Sequence, residues 1–493
     1  MNVRKSVYWS FALQGLVSAI SFANTVILAR LLTPHEFGIF AIALAAQAVI
    51  QMFTMFSVAS YVTRHPDLTP QVMASAFTVN AMIMLVLAGG MLACSFFAHT
   101  LLGEAAAGNV LRVLALAAVV GIFGFRPASM LMREMAFKTL SLISLASVCA
   151  TVSATLVTAA FLHASYMSAA WGILAGAIAQ VIGCNITGYR HASLRLSFSG
   201  AREIFQFGMR MAILSSSGAL AAKLSEIVLG RTQGLAALGL YGRASGITAL
   251  VQDNIYANAT KISYVKLAED ARQTGDLRPT LIRSLQLIIG ILWPAQIGLA
   301  ITSGPIINVI YGKQWHEAAL PLSLLLVAQA IALTFGMNWE LFTLRDELPK
   351  QTRLELGRTL AGSALFTIGA QFSLVAAASA RIGEALFGML LYRGEIARLA
   401  GTKPGELRSL YMHGAVATCF AVFPALVLML YWRWSPLVPL SALVGSIGAG
   451  IALWLVALKL LHHPLLDEMQ VIWVKALKAT KRGAPNDKEP SSA

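Results

Sequence analysis

The chain has 493 residues, 57% of them hydrophobic and only 12% charged, with a mean hydropathy of +0.71. A soluble domain carries about 25% charged residues, so the composition excludes a soluble globule and describes a polytopic membrane protein. The net charge of +15 does not point to nucleic acid: no basic stripe interleaves with aromatics, and Lys and Arg collect in the cytoplasmic loops of any such protein.

Apolar runs of about 20 residues fill a bilayer core as helices. They predict about fourteen spans, over 7–29, 38–62, 75–98, 110–131, 139–162, 167–188, 207–229, 238–260, 281–303, 320–343, 357–376, 379–396, 410–431 and 437–459. The stretch 357–396 has room for one long span or two short ones. The alternating ten-residue segments of a membrane barrel are absent. The first run is too long, and lacks the small-residue site, for a cleaved signal peptide. With the N-terminus in the cytoplasm, most Lys and Arg fall on that side, including Arg133, Arg190, Arg202, Lys261, Lys350 and Arg398. Arg30, Arg112, Arg231, Lys313, Arg381 and Arg433 fall outside. That bias predicts cytoplasmic N- and C-termini. Cys94, Cys149, Cys184 and Cys419 lie in apolar stretches without CxxC spacing and read as buried hydrophobes.

The chain repeats itself. VILARLLTPHEFGIFAIA, from Val26, returns 201 residues later as IVLGRTQGLAALGLYGRA, from Ile227, with Leu28 on Leu229, Arg30 on Arg231, Gly38 on Gly239 and Gln51 on Gln252. Six spans precede the second copy, so both copies enter the membrane in the same direction, as parallel repeats. The expected fold is all-α: two parallel six-helix repeats around a central cavity, plus two appended helices. The expected divisions are an N-terminal bundle over 1–188, a basic cytoplasmic linker over 189–206, a C-terminal bundle over 207–396, two additional helices over 397–461 and a tail over 462–493. In that tail Leu465, Met469, Ile472, Trp473 and Leu477 recur at helical spacing, as in an interfacial amphipathic helix.

Polar residues inside spans mark candidate sites, because charge near the bilayer centre is costly and is kept where it faces a cavity or a partner. Spans one and two carry Gln14, Asn24, Gln47 and Gln51; span seven carries Arg210, Ser216, Lys223 and Glu226; span eight carries Arg243, Gln252 and Asp253. Lys223 and Glu226 share a helix face and are placed to neutralise each other. If these four repeat-equivalent spans line the cavity, one wall is neutral and polar and the other has surplus positive charge. Arg and Lys recognise phosphate oxygens, and Gln, Asn and Ser hydrogen-bond sugar hydroxyls. Arg30 and Arg231 read as helix-end caps, Arg381 and Glu384 as a local pair, and Arg126, just before Pro127, as a partner for the carbonyls that the proline frees. No Walker A, GxSxG or HExxH motif occurs, nor a histidine cluster with ligand spacing, so neither an enzyme nor a metal or other cofactor is expected.

LARLLTPHEFGIFAIA and FGMRMAILSSSGALAAKLSEIVLGRTQGLAALGLYGRA resemble the polysaccharide transporter family of bacterial oligosaccharide flippases, in its Wzx-type colanic-acid and succinoglycan exporter branch. That resemblance implies alternating access, a polyprenyl-diphosphate-linked oligosaccharide as cargo and a bacterial inner membrane. It also implies a role in exopolysaccharide or lipopolysaccharide biosynthesis beside glycosyltransferases and a polymerase. Lys223 and Arg243 match the family's cavity cations. The first span lacks the arginines of lipid II flippases, against a peptidoglycan precursor. A MATE-like cation-coupled drug exporter and a non-transporting scaffold of the assembly complex are the alternatives.

Overall fold

The computed structural model describes residues 3–52, 58–64, 68–162, 164–188, 195–199 and 201–470. No strand occurs among them. In chain order the helices are α1 (Val3–Leu31), α2 (Pro34–Met52), α3 (Val58–Arg64), α4 (Pro70–Phe96), α5 (Ala98–Leu102), α6 (Ala106–Ile122), α7 (Phe125–Arg133), α8 (Phe137–Ala160), α9 (Met167–Thr187) and α10 (Ala201–Thr232). There follow α11 (Gly234–Val251), a π-helical turn (Gln252–Tyr256), α12 (Ala257–Gln273), α13 (Arg278–Ile301), α14 (Ser303–Ile310) and a 3-10 turn (Lys313–Ala318). The chain continues as α15 (Ala319–Ala332), α16 (Asn338–Leu344), α17 (Leu348–Phe372), α18 (Leu374–Ala400), α19 (Glu406–Tyr431) and α20 (Leu440–Leu460).

Among the described residues 11 helices are long and apolar enough to cross a membrane, or 12 with α6 and α7, which form one pair bent by 55°. The expectation of about fourteen also counts α10 and α17. These have 32 and 25 residues, ample length at about 1.5 Å per residue, but lower apolarity. The stretch 357–396 resolves into two helices, broken at Ser373. At the α6–α7 bend Asn185 Nδ2 donates to the freed Phe123 carbonyl (3.0 Å), since backbone groups exposed by a break inside a membrane need a partner.

The residues form two compact units. The first comprises the chain up to Ala244 with Ile310–Pro321 and Glu355–Ala380, so it holds the first repeat, α10 and one end each of α11, α15, α17 and α18. In it α1 packs on α8, α8 on α9, α4 on α6 and α2 on α10. Thr33 and Glu36 form a capping box: Glu36 N donates to Thr33 Oγ1 (3.3 Å), and Thr33 N donates to Glu36 Oε2 (2.8 Å). Ser165 donates to the other Glu36 oxygen.

The second unit comprises Ser245–Val309, Leu322–Leu354 and the described chain from Arg381 on. Its core centres on Tyr392, stacked on Phe335 (5.6 Å between centroids) and edge-on to Phe342 (6.3 Å). Between α15 and α16 the helix breaks, and tyrosines supply what the backbone lost. Tyr411 Oη donates to the Thr334 carbonyl (2.6 Å), and Tyr256 Oη accepts from Met337 N (3.2 Å). The start of the tail folds back, with Leu465 buried among Ala417, Ala457 and Leu458 and Glu468 paired with Arg283 (2.6 Å). Ile472, Trp473 and Leu477 lie outside the described residues.

The two sequence copies meet in the first unit. A Cβ added to Gly38 would collide with the Leu235 carbonyl oxygen, and one added to Gly239 with the Pro34 carbonyl oxygen. Pro34 and Leu235 are themselves equivalent at the 201-residue offset, so α2 and α11 cross backbone to backbone in a reciprocal contact. Small residues permit such approach, and in membranes it replaces the missing hydrophobic drive between helices. The arginines repeat the pattern: Arg30 Nε donates to the Ile310 carbonyl (3.4 Å), and Arg231 Nη1 donates to that of Leu101 (3.1 Å). Each caps the end of the short helix, α14 or α5, that belongs to the other copy, as helix C-termini favour. These reciprocal pairs are the signature of the parallel repeat.

Gly38→Ala and Gly239→Ala are each expected to destabilise the protein by about 1–3 kcal/mol, the range for overpacking, in thermal melts of detergent-solubilised protein. Gly246→Ala, whose Cβ would meet no atom within 4 Å, is the control and should not lower the midpoint.

Candidate cargo site around Arg243

Arg243 is 3% exposed and no carboxylate pairs with it among the described residues. Its guanidinium carbon lies 3.8 Å from the ring centre of Phe37, 5.1 Å from that of Trp315 and 5.3 Å from that of Tyr311. All three are within the roughly 6 Å over which a ring quadrupole attracts a cation, worth about 2 kcal/mol or more when water is excluded. Phe37 and Trp315 meet edge to face (6.0 Å, 81°), and so hold each other's orientation. One guanidinium nitrogen, Nη1, donates to the Thr25 carbonyl (3.1 Å). The other two, Nε and Nη2, are buried without a hydrogen-bond partner, as is Asn24 Oδ1. Five donors in a planar fork suit two oxygens of a carboxylate or phosphate at once. Here most of that capacity is unspent.

The elements place these groups for stated reasons. The glycine crossing lets α2 and α11 touch, which brings Phe37, next to Gly38, against Gly242 and Arg243. Tyr311 and Trp315 come from the short segment between α14 and α15. That segment is held to the end of α1: Gln314 Nε2 donates to the carbonyls of Ala29 (2.7 Å) and Leu32 (3.1 Å), and Trp315 Nε1 donates to Ala29 (2.6 Å).

The other expected residues distribute as follows. Lys223 Nζ donates to both Glu226 oxygens (2.8 and 2.9 Å), so that pair is locally neutral and Arg243 keeps its charge alone. Asn24 and Gln47 are half-buried, and Gln14 and Gln51 are exposed. Arg210 and Ser216 belong to α10, but their side chains lie outside the described residues. Gln252 and Asp253 sit in the second unit on the π-helical turn, the former half-buried and the latter exposed; such turns recur at functional sites. Arg126 is buried over the Phe77 ring (5.8 Å). Arg381 and Glu384 pair at 2.7 Å. Phe37, Tyr311, Gln314 and Trp315 were not expected from the sequence. The second unit also holds, between α13, α19 and α20, a groove of about 330 Å³ whose walls, including Pro294, Gly298, Val422, Gly450 and Trp454, are almost wholly hydrocarbon.

The helical fold resembles that of solved membrane transporters. It is similar to lipid II flippase MurJ in an inward closed conformation, with TM-score 0.74 and 14% identity over 93% of this chain and 100% of that one. A multidrug resistance MATE family transporter of the MOP superfamily, inward-facing, gives TM-score 0.59 and 15% identity over 78% and 96%. Residues 27–320 match the family described as polysaccharide biosynthesis protein, and the chain belongs to that family. It is 22% identical over 321 residues to the lipopolysaccharide biosynthesis protein WzxC of Escherichia coli (strain K12), a match spanning 65% of each chain and so just under two thirds of that relative. It is 26% identical over 343 residues, 67% of each chain, to the succinoglycan biosynthesis transport protein ExoT of Rhizobium meliloti (strain 1021).

Replacing a buried charge by a well-packed apolar residue is often neutral or stabilising. Arg243→Ile copies the residue at the equivalent position of the first repeat, Ile42. It is expected to leave the melting temperature unchanged or raised, and a fall of more than about 2 kcal/mol in stability would make Arg243 a structural residue.

Proposed function

We propose that the protein is a flippase. It carries a polyprenyl-diphosphate-linked oligosaccharide repeat unit across the bacterial inner membrane by alternating access, for exopolysaccharide or lipopolysaccharide synthesis. The observation that carries this reading is Arg243: a buried guanidinium balanced by no carboxylate among the described residues, with two of its three nitrogens unsatisfied. A diphosphate supplies the acceptors and the negative charge that this group lacks, through charge-assisted bonds about twice as strong as neutral ones. Family membership, and relatives named for lipopolysaccharide and succinoglycan biosynthesis, support a carbohydrate cargo rather than a drug. The neutral polar residues Gln14, Asn24, Gln47 and Gln51 are suited to sugar hydroxyls. The protein is read as a transporter and not an enzyme. The charge bias supports reading its N- and C-termini as cytoplasmic, and the glycosyltransferases and polymerase of the same assembly line are its expected partners.

A MATE-like exporter of cations needs an unpaired carboxylate in an electronegative site. Glu226 is paired with Lys223, and the buried charge at the candidate site is positive.

Arg243→Ile and Arg243→Ala are expected to abolish surface polymer and to accumulate lipid-linked repeat unit, at unchanged protein level in the membrane. The measurements are polymer yield and thin-layer separation of extracted polyprenyl intermediates. Normal polymer yield from both variants would remove Arg243 from the mechanism. Drug hypersensitivity of a deletion strain that still makes full polymer would favour the exporter of cations.

A further inference from the structure

The two copies close against each other reciprocally at Gly38 and Gly239 and at Arg30 and Arg231, but one feature breaks the symmetry. Gly312 and Gly103, both with positive φ (99° and 83°), occupy equivalent places after α14 and α5. The two carbonyls that the arginines cap, Ile310 and Leu101, lie two residues before them. In this register Tyr311 falls on Leu102, Gln314 on Ala105 and Trp315 on Ala106; in the 201-residue register Phe37 falls on Leu238 and Arg243 on Ile42. The first-copy counterpart of the box around Arg243 is therefore wholly aliphatic. Ile42, Leu102 and Leu238 are each at most 3% exposed, and Ile42 and Leu238 both lie against Gly230. The counterparts of Gln314 and Trp315 are alanines, with no side-chain donor to offer the end of α10.

Aliphatic packing thus suffices to close one side. The other side holds a guanidinium whose capacity is largely unspent, and the residues that box it are also those that fasten the segment to α1. Trp315 does both: its ring faces Arg243 and its Nε1 holds the Ala29 carbonyl. Moving the cation therefore disturbs the fastening.

We propose that residues 311–318 form a cargo-sensed latch: Tyr311, Gln314 and Trp315 bind the segment to Arg243 and to the end of α1, and a diphosphate that draws Arg243 from its box releases it. This rests on the reading that the cargo carries a diphosphate. A ligand shifts such an equilibrium only by its preference for one state. Here the preference comes from Nε and Nη2, which have no hydrogen-bond partner inside the box and gain acceptors from the cargo. The latch is consequently closed while the site is empty and opens when cargo engages, which prevents idle cycling.

The test uses full-length protein in phosphatidylethanolamine–phosphatidylglycerol vesicles, with the four native cysteines replaced by serine. It carries Leu31→Cys and Lys313→Cys, which lie beside the fastening, are both exposed and leave Gln314 and Trp315 in place. A short bis-maleimide should join them readily in the resting protein. Undecaprenyl diphosphate should slow the cross-link at least about threefold, and the slowing should vanish in Arg243→Ile and in Arg243→Gln. Binding of radiolabelled undecaprenyl diphosphate is measured in the same vesicles. Absence of binding overturns the diphosphate reading and the trigger with it. Binding without slowing, or slowing that persists in both Arg243 variants, overturns the latch and leaves the diphosphate reading standing.

Discussion

Two helices cross with their backbones in contact only where neither carries a Cβ at the crossing. Gly38 and Gly239 meet that condition for α2 and α11, and the rest of the candidate site follows from the approach they allow. Phe37 is carried onto Arg243 because its neighbour is a glycine. The end of α1, one capped turn before α2, is placed where Gln314 and Trp315 reach its last carbonyls. In a bilayer no hydrophobic drive pulls helices together, so close approach and satisfied carbonyls do the holding.

Duplication would by itself produce a symmetric closure, and at the arginine caps and the glycine crossing it does. The departure lies in what fills the space behind the crossing. One copy uses Ile42, Leu102 and Leu238. The other uses a cation, whose desolvation in a low-dielectric interior costs several kcal/mol, offset by three ring faces and one carbonyl. A cluster that is harder to stabilise than its own duplicate is poorly explained by packing. It is better explained by a ligand, for which buried polar groups left unsatisfied are the receptor.

Much of this was legible in the chain. The helical class, the membrane setting and the repeat were carried by composition and by the Leu28, Arg30 and Gly38 correspondences. The spacing of Lys223 and Glu226 announced their pair, whereas the start of α2 at Pro34, four residues before the expected span, was not read from TPHE. Arg243 stood out because charge inside a span is rare. Its box did not stand out, for a specific reason. Phe37, Tyr311 and Trp315 are ordinary aromatics in apolar surroundings, and two of them come from a segment some seventy residues further along the chain. The signal that would have found them is the comparison of copies, but the register slips from 201 to 209 residues between Gly239 and Gly312. At the first offset Tyr311 and Trp315 do not fall on Leu102 and Ala106, and the substitution of aromatic for aliphatic is hidden. The span count was blurred by α10 and α17, whose charges interrupt apolar runs that the helices themselves do not interrupt.

The charge balance also bears on how the proposed transport is driven. Lys223 and Glu226 cancel, so among the described residues of the candidate site the moving negative charge of a diphosphate meets the uncompensated positive charge of Arg243. Each elementary charge carried outward across the membrane potential gains about 2.3 kcal/mol per 100 mV if it is negative. A diphosphate bears roughly two. If Arg243 stays with α11 while the cargo passes, the full charge is worked on by the potential, and the cation serves only to offset desolvation on the way. If α11 carried Arg243 across with the cargo, about half of that work would be cancelled. The backbone contact of α11 with α2 at Gly38 and Gly239 belongs to one conformation, and alternating access would open it. Under the proposed reading the two routes differ by about one elementary charge moved per cargo, and so in how steeply transport depends on the membrane potential.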